Sequence, residues 1–241
     1  MPKYLLLFLF AWPLVLAGQE TVEVEQKFGK MGNKEIYNVL KSDKTILHGS
    51  YKLFSGNGVL VREGFYKNGL KDSVWTEYYY GNKIMSKGVY SNHRKVGLWK
   101  FFESDGTLEQ SYDYTKKELD YFKFTTQKFR IVLGTDTIVT ILEQPPLYIG
   151  SHGQLGMALN ENLEYPERAK QDDISGTVVI TFIIDTLGKA GSHRITKRIG
   201  GGCDEESLRA VKMIPDKWIP AILNGEKVIV EYDFPVRFML Y

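Results

Sequence analysis

The apolar and polar positions of the C-terminal half predict a β-hairpin around which that half is organised. Residues 177–184 are β-branched or aromatic almost throughout, which is typical of a strand buried on both faces or nearly so. The sequence Asp185-Thr186-Leu187-Gly188 predicts a turn, and the more polar residues 190–196 predict the return strand. Because a strand pair cannot cover its own apolar face, the flanking segments must pack against it.

Helical patterns stand on both sides of this hairpin. Leu155, Leu159 and Leu163 recur every four residues and form one apolar stripe of a short helix. A second helix is predicted from Glu205 to about Met213, with Asp204 as its N-cap.

The last predicted strand runs from Val228 to Met239, and Pro235 within it indicates an irregular or edge position. The predicted order is therefore helix, strand, strand, helix, strand, which is an α+β fold. A three-stranded sheet with helices on one face leaves an edge to which an extended peptide can add through main-chain hydrogen bonds.

The N-terminal half carries a repeat of 24 residues, which predicts an all-β antiparallel sheet built from short strands and tight turns. Turn dipeptides such as Asn57-Gly58 and Asp105-Gly106 recur at the same period and favour hairpins. The aromatic and glycine columns in register are Tyr51, Trp75 and Trp99; Phe54, Tyr78 and Phe102; Gly64, Gly88 and Tyr112; and Tyr66, Tyr90 and Tyr114.

The repeat resembles the MORN-type repeat in its bacterial variant over about residues 48–115. The resemblance is carried by Gly64-Phe65-Tyr66-Lys67-Asn68-Gly69-Leu70-Lys71 and by Trp75-Thr76-Glu77-Tyr78-Tyr79. The second copy departs from the pattern at His93, where the family usually has glycine. The resemblance implies an array of β-hairpins that binds or spaces something, with the aromatic residues as its core.

The C-terminal half resembles the TonB C-terminal domain over about residues 146–241. The motifs in family order are Tyr165-Pro166-Glu167-Arg168-Ala169, Gly176-Thr177-Val178-Val179, Asp185-Thr186-Leu187-Gly188-Lys189, Asp204-Glu205-Glu206-Ser207-Leu208-Arg209, Trp218-Ile219-Pro220-Ala221 and Asn224-Gly225-Glu226-Lys227-Val228. The resemblance implies that the domain captures a short segment of an outer-membrane transporter by strand addition. It also implies force transmission, which needs a retained membrane helix and a long proline-rich span.

The first residues predict export. Lys3 precedes an apolar run that is interrupted by Pro13, and Val15-Leu16-Ala17 suits a cleavage site, so residues 1–18 are predicted to be a signal peptide. The alternative is an inner-membrane anchor formed by residues 4–18, although a membrane span needs about 20 apolar residues. The predicted organisation is residues 1–18 as signal peptide, 19–115 as MORN-like repeats, 116–145 as a β-hairpin linker, and 146–241 as the TonB-like domain.

The sequence gives little support for an enzymatic function. The four histidines are scattered without metal-ligand spacing, and the glycine run at 200–202 lacks the motif of a phosphate-binding loop. Cys203 stands at a predicted helix N-terminus, where a thiol pKa can fall, but no histidine base is near it in sequence. We therefore predict no catalytic, cofactor-binding or metal-binding residues. The formal net charge of +2 also lacks the basic excess of a nucleic-acid-binding protein.

The function predicted from the sequence is binding of a protein partner in the periplasm or cell envelope, related to TonB-dependent transport across the outer membrane. The chain would then associate with the membrane through its partner. An alternative is a scaffolding protein whose repeats bind cell wall or a surface partner. The strand from Val228 to Phe238 is the predicted docking edge, and its predicted partner-binding residues are Val228, Val230, Tyr232, Phe234, Val236 and Phe238.

Overall fold

The computed structural model describes residues 19–240 of the chain. The predicted signal peptide, residues 1–18, lies outside the described residues. Within residues 19–240, no helix has the length and apolar character that a membrane crossing requires. Two antiparallel sheets account for most of the structure, one of nine strands and one of five strands.

The nine-stranded sheet is a meander in which each strand pairs with the next strand along the chain. This confirms the predicted antiparallel sheet, which fills the predicted range of residues 19–115 and continues beyond it by one strand. Its strands are β1 (Thr21–Phe28), β2 (Asn33–Leu40), β3 (Leu47–Phe54), β4 (Leu60–Lys67), β5 (Leu70–Tyr78), β6 (Ile84–Ser91), β7 (Arg94–Phe102), β8 (Leu108–Asp113) and β9 (Glu118–Phe122).

Glycines at period 24 make room for buried tryptophans on one face of this sheet. A Cβ atom on Gly64 would lie 2.2 Å from Cδ2 of Trp75, and one on Gly88 would lie 2.2 Å from Cδ2 of Trp99. Each indole therefore covers a glycine of the preceding strand. The third member of this column is Tyr112, and the strand that follows it, β9, contains no tryptophan.

The remaining elements build the C-terminal domain around a sheet of strand order β11-β10-β18-β13-β14. The short strands β12 and β15 pair with each other, as do β16 and β17. In chain order the elements are β10 (Lys128–Leu133), β11 (Asp136–Ile141), β12 (Leu147–Tyr148), α1 (His152–Asn160), α2 (Glu167–Gln171), β13 (Gly176–Ile184), β14 (Ala190–Lys197), α3 (Cys203–Lys212), β15 (Trp218–Ile219), β16 (Ala221–Leu223), β17 (Glu226–Val228) and β18 (Val230–Phe238).

One face of the five-stranded sheet forms the hydrophobic core together with the helices. Residues of the central strands alternate between this face and a polar one, so that Ile180 and Phe234 face the core while Thr181 and Asp233 face away. The fully buried aliphatic and aromatic side chains of the sheet each contribute about 1.5–3 kcal/mol. They meet α1 through Leu155 and Leu159 and α3 through Cys203, Ala210 and Val211.

The start of α3 differs from the predicted cap at Asp204. The helix begins at Cys203 and its N-cap is Gly202, which has a φ of 88°. Asp204 lies within the first turn, where its carboxylate accepts the backbone N–H groups of Ile199 at 2.8 Å and Gly200 at 3.2 Å. The glycine run permits this start because the chain must turn with positive φ before the helix.

The segment predicted as a linker, residues 116–145, is divided between the two sheets. Strand β9 closes the first sheet, whereas the hairpin of β10 and β11 joins the second. The sequence indicated the hairpin itself but carried no signal for its partner. This addition turns a predicted three-stranded sheet into one of five strands.

Candidate partner-binding edge

Most of the six residues predicted to bind a partner lie in the hydrophobic core. Val230, Phe234, Val236 and Phe238 are buried with at most 7% of their surface exposed. Tyr232 is partly buried, its ring centroid lies 5.0 Å from that of Trp218, and burial raises the pKa of its hydroxyl to about 12. Val228 lies outside this strand, in β17, where it pairs with Ala221.

The strand β18 has neighbours on both sides at its beginning, which corrects the prediction that it is an edge strand. It pairs with β13 along its whole length. On the other side Arg130 of β10 pairs with Glu231, and the N–H of Val132 donates to the carbonyl of Ile229 at 2.9 Å. The physical reason is that the hairpin preceding the domain has supplied its own strand to this margin.

The second half of β18 keeps a free side, but a proline interrupts it. From Asp233 to Phe238, no strand of the described part of the chain pairs with the side opposite to β13. Because Ile229 directs its carbonyl toward β10, the odd-numbered residues of β18 direct their backbone groups to that side. Pro235 is one of them and has no N–H, so the free margin lacks a donor at its centre. Partner binding by the six residues stays a prediction, and their main chain offers only this short stretch.

Charged side chains tie the hairpin to β18 on the polar face of the sheet. Arg130 donates through Nε to Glu231 at 2.8 Å and through a terminal nitrogen to Asp233 at 2.6 Å. Hydrogen bonds from Arg130, and then from Arg194, lower the pKa of Glu231 despite its burial. For Asp233, burial raises the pKa, but hydrogen bonds from Arg130 and Thr181 outweigh it and the net direction is down. Both carboxylates are therefore charged at neutral pH and hold the arginine in place.

Strand β11 is one of the two true margins of the five-stranded sheet, and it is regular and apolar. Ile138, Val139 and Ile141 are 43%, 61% and 40% exposed. Its pairing with β10 runs from Lys128–Ile141 to Leu133–Asp136 without a register shift. A regular, apolar margin with unpaired backbone groups is the kind of edge that accepts another strand.

The backbone groups that β11 offers can be assigned from the alternation of hydrogen bonds. Because Val132 donates to Ile229, the even-numbered residues of β10 direct their backbone groups to β18, and the odd-numbered residues direct theirs to β11. In the observed register, the β11 residues opposite these odd-numbered residues are Asp136, Ile138 and Thr140, and their backbone groups point toward β10. The N–H and C=O groups of Thr137, Val139 and Ile141 therefore point outward.

The opposite margin, β14, carries features that discourage strand addition. Its pairing with β13 shifts register twice, and Ser192 has a φ of 53°. Arg194 and Lys197 add positive charge to this margin. Irregular pairing and charged side chains hinder the addition of another strand to a sheet edge, so β14 is less suitable than β11 for strand addition.

Hydrogen bonds between the nine-stranded repeat sheet and residues 148–154, around the start of α1, join the two halves of the chain. Gln154 donates to Glu77 at 2.6 Å, and Gln110 donates to the carbonyl of Tyr148 at 3.2 Å and accepts the N–H of Gly150 at 3.0 Å. His152 bonds to Glu109, which raises the pKa of the imidazole against the effect of burial. The repeat sheet and the C-terminal domain are thus in direct polar contact.

The groups considered for chemistry are not arranged for it. Cys203 is fully buried, and burial followed by the charge of Asp204 raises the pKa of its thiol, opposite to the lowering that its helix position suggested. Within residues 19–240, no group of three or more histidine, cysteine, aspartate or glutamate side chains is placed to hold a metal ion.

Sequence reasoning missed the margin formed by β11. The β-branched run from Thr137 to Ile141 indicated a strand, but its exposure could not be read from the pattern, because buried and marginal strands share this composition. The only available signal was the absence of a clear polar alternation in a hairpin outside the core motifs.

Comparison with known families bears on the second half of the chain. Residues 161–240 match the family described as Gram-negative bacterial TonB protein C-terminal. The match begins after α1, so the hairpin of β10 and β11 lies before the matched region. No curated protein and no solved structure matches the chain.

Proposed function

We propose that the chain is an exported envelope protein whose C-terminal domain binds an extended segment of a protein partner by strand addition. The match of residues 161–240 to the TonB C-terminal family is the observation that carries this proposal. The partner belongs to the machinery of TonB-dependent transport across the outer membrane. The chain reaches the membrane through that partner, and residues 1–18 serve as its export signal.

The partner segment adds to β11. Three outward-facing residues, Thr137, Val139 and Ile141, supply donors and acceptors at the spacing that a β-strand requires. Exposed Ile138 and Val139 lie on opposite faces of the sheet, so the added strand meets apolar surface on both of its faces. The segment that fits is therefore an extended, β-branched or apolar one, with few charges.

The hairpin of β10 and β11 is held firmly against β18, which suits strand addition at β11. Core packing of Ile131, which is fully buried, and the ion pairs of Arg130 fix β10 to β18. A margin that is held rigid loses less conformational entropy when it binds, which increases affinity. The second half of β18 remains a rival margin, and the two are separable by mutation.

The test uses in-cell photo-crosslinking of the full chain. A photoreactive residue at Thr137 reports on the β11 margin, and one at Arg237 reports on the free margin of β18. We expect crosslinks from Thr137 to a single extended segment of an outer-membrane protein, and no such crosslink from Arg237.

Matched substitutions at one position separate the main chain from the side chain. Val139→Pro removes an outward N–H without removing any bond between β10 and β11, whereas Val139→Thr keeps both the N–H and the shape of the side chain. The proline variant is expected to lose the crosslink and the threonine variant to keep it. Equal crosslinking in both variants, or crosslinks from Arg237 alone, would overturn the choice of margin. Absence of protein crosslinks from both positions would overturn the function.

A further inference from the structure

The aromatic face of the repeat sheet holds basic side chains at the same period as its aromatic rings. The Nζ atom of Lys71 lies 4.3 Å from the ring centroid of Trp75, and that of Lys95 lies 4.0 Å from Trp99. Each ammonium also lies 5.2 Å from a tyrosine ring, that of Tyr90 or Tyr114. Lys71 and Lys95 are 24 residues apart, so the repeat places one caged ammonium on every second strand.

These cations form no ion pair in residues 19–240. Neither Lys71 nor Lys95 nor the adjacent Arg62 forms an ion pair there, and Nε of Arg62 is buried without any hydrogen-bond partner. Cation–π contact stabilises such groups by about 0.5–2 kcal/mol but leaves their hydrogen-bond donors free. An unsatisfied buried donor costs about 1–3 kcal/mol, so the fold does not fully compensate the buried guanidinium of Arg62.

The carboxylates nearest to this face are already occupied. Glu77 accepts hydrogen bonds from Gln154 at 2.6 Å and Ser86 at 2.9 Å, at the junction with the C-terminal domain. Glu35 accepts the hydroxyl of Tyr51 at 2.5 Å. Glu77 also attracts Lys71 and Lys95 electrostatically, but it makes no ion pair or hydrogen bond with either ammonium group, so the N–H donors of both lysines are left for an external anion.

A row of tyrosine hydroxyls accompanies the cations. Tyr66, Tyr90 and Tyr114 follow one another at 24 residues, and each is partly exposed. Among the described residues, none of the three hydroxyls has a hydrogen-bond partner. One repeat advances by two strands, which is about 10 Å at the usual strand spacing. The face therefore presents hydroxyl and ammonium donors in a line at that interval.

We propose that this row, formed by Arg62, Lys71, Lys95, Tyr66, Tyr90 and Tyr114, binds an anionic polysaccharide laid across the strands. One acidic group of the polymer meets each caged ammonium, and sugar hydroxyls accept from the tyrosines. A bound anion would also offset the cost of burying the charge of Lys95, whose pKa is lowered to about 8 by burial. Lys217 of the C-terminal domain adds positive charge at the same end of the row.

A polysaccharide fits this face better than a membrane or a nucleic acid does. The exposed apolar side chains that a lipid surface would take, Phe65, Val74, Val89 and Leu98, lie on the opposite face of the sheet. Base stacking needs exposed ring faces, whereas Trp75 and Trp99 are almost completely buried. Hydrogen-bonding donors recessed between rings suit a flexible chain of hydroxyl and carboxylate groups.

The test measures binding of the full chain to polygalacturonate. Neutral dextran, phosphatidylglycerol vesicles and single-stranded DNA are measured for comparison. The full chain is expected to bind polygalacturonate in a salt-dependent manner and to bind the other three at least tenfold more weakly. Lys71→Gln and Lys95→Gln each remove a charge-assisted hydrogen bond, so each is expected to weaken binding about tenfold. Lys87→Gln and Lys100→Gln, on the opposite face, carry the same charge change and are expected to alter binding less than twofold.

A second measurement uses the wild-type sequence, so its result does not depend on whether a variant folds. Lysine acetylation read by mass spectrometry is expected to show that polygalacturonate protects Lys71 and Lys95 but not Lys87. Failure of the polymer to bind, equal protection of all three lysines, or tighter binding to vesicles or DNA would overturn the proposal. The site is independent of β11, so loss of polysaccharide binding leaves partner crosslinking unchanged.

Discussion

Replacing Gly88 with alanine should strongly destabilise the repeat sheet, although the substitution adds a single methyl group. The new Cβ would lie 2.2 Å from Cδ2 of Trp99, where ordinary contacts begin at 3.4 Å. Trp99 is 1% exposed, so its ring has no free space and must shift by more than 1 Å. Such a shift disturbs everything that the indole contacts.

The cost can be assembled from those contacts. Overpacking a core costs about 1–3 kcal/mol. Displacement of the indole also weakens its 3.1 Å hydrogen bond to the carbonyl of Val89, worth about 1 kcal/mol, and the contact of Lys95, worth about 1 kcal/mol. Together these give about 3–5 kcal/mol for Gly88→Ala, which is as large as removing a buried tryptophan side chain altogether.

Urea unfolding followed by far-UV circular dichroism measures this change. Gly156→Ala is the matched control, because nothing lies within 4 Å of the added Cβ and α1 gains helix propensity. The control should be neutral or stabilising by about 0.5–1 kcal/mol. In a double-mutant cycle, Gly88→Ala should cost little in a Trp99→Ala background. A Gly88→Ala variant as stable as the wild type, or additive costs in the cycle, would refute the role assigned to the glycine.

Two further predictions concern pH. The folded-state pKa of Lys95 is lowered to about 8 from 10.5, so Lys95 binds more protons in the unfolded chain between these values and its contribution to stability should increase as pH rises. Buried tyrosines such as Tyr90, whose folded-state pKa is raised to about 12 from 10.0, lower stability above pH 10, so the contribution of Lys95 is measured between pH 8 and pH 10. Lys95→Met should reduce this rise, and a difference in urea midpoint between wild type and Lys95→Met that stays constant from pH 8 to pH 10 would contradict it. The pKa of His152 is raised by its hydrogen bond to Glu109, so its contribution is fully present below pH 6.5 and is lost as pH rises through the folded-state pKa. NMR titration of the imidazole should show the raised pKa in the wild type and a value near 6.5 in Glu109→Gln, and identical titrations would exclude the pairing.

The sequence predicted what local patterns determine. The hairpin of β13 and β14 followed from a β-branched run, a turn and an alternating return strand, and it was confirmed almost to the residue. The 24-residue period predicted an antiparallel sheet because repeated turns impose repeated strands, and that sheet was confirmed. The role of Gly64 beneath Trp75 was not predicted, since a contact between neighbouring strands depends on register.

The position of β18 could not be predicted for a different reason. Its composition and Pro235 indicate an irregular or marginal strand, and half of it has a free side. Which strand covers the other half depends on pairing with β10, about 100 residues away in sequence. No local pattern encodes such a contact. The sequence therefore indicated β18 as the candidate edge, and the strand order in the structure was needed to identify β11.

Amide hydrogen exchange on the domain bound to its crosslinked segment tests the central claim most directly. Strand addition at β11 predicts that the outward N–H groups of Thr137, Val139 and Ile141 exchange at least tenfold more slowly when the segment is bound, because each N–H gains a hydrogen bond. The N–H groups of Asp233 and Arg237, on the free margin of β18, should exchange at unchanged rates. Protection of Asp233 and Arg237 with no change along β11 would contradict the account.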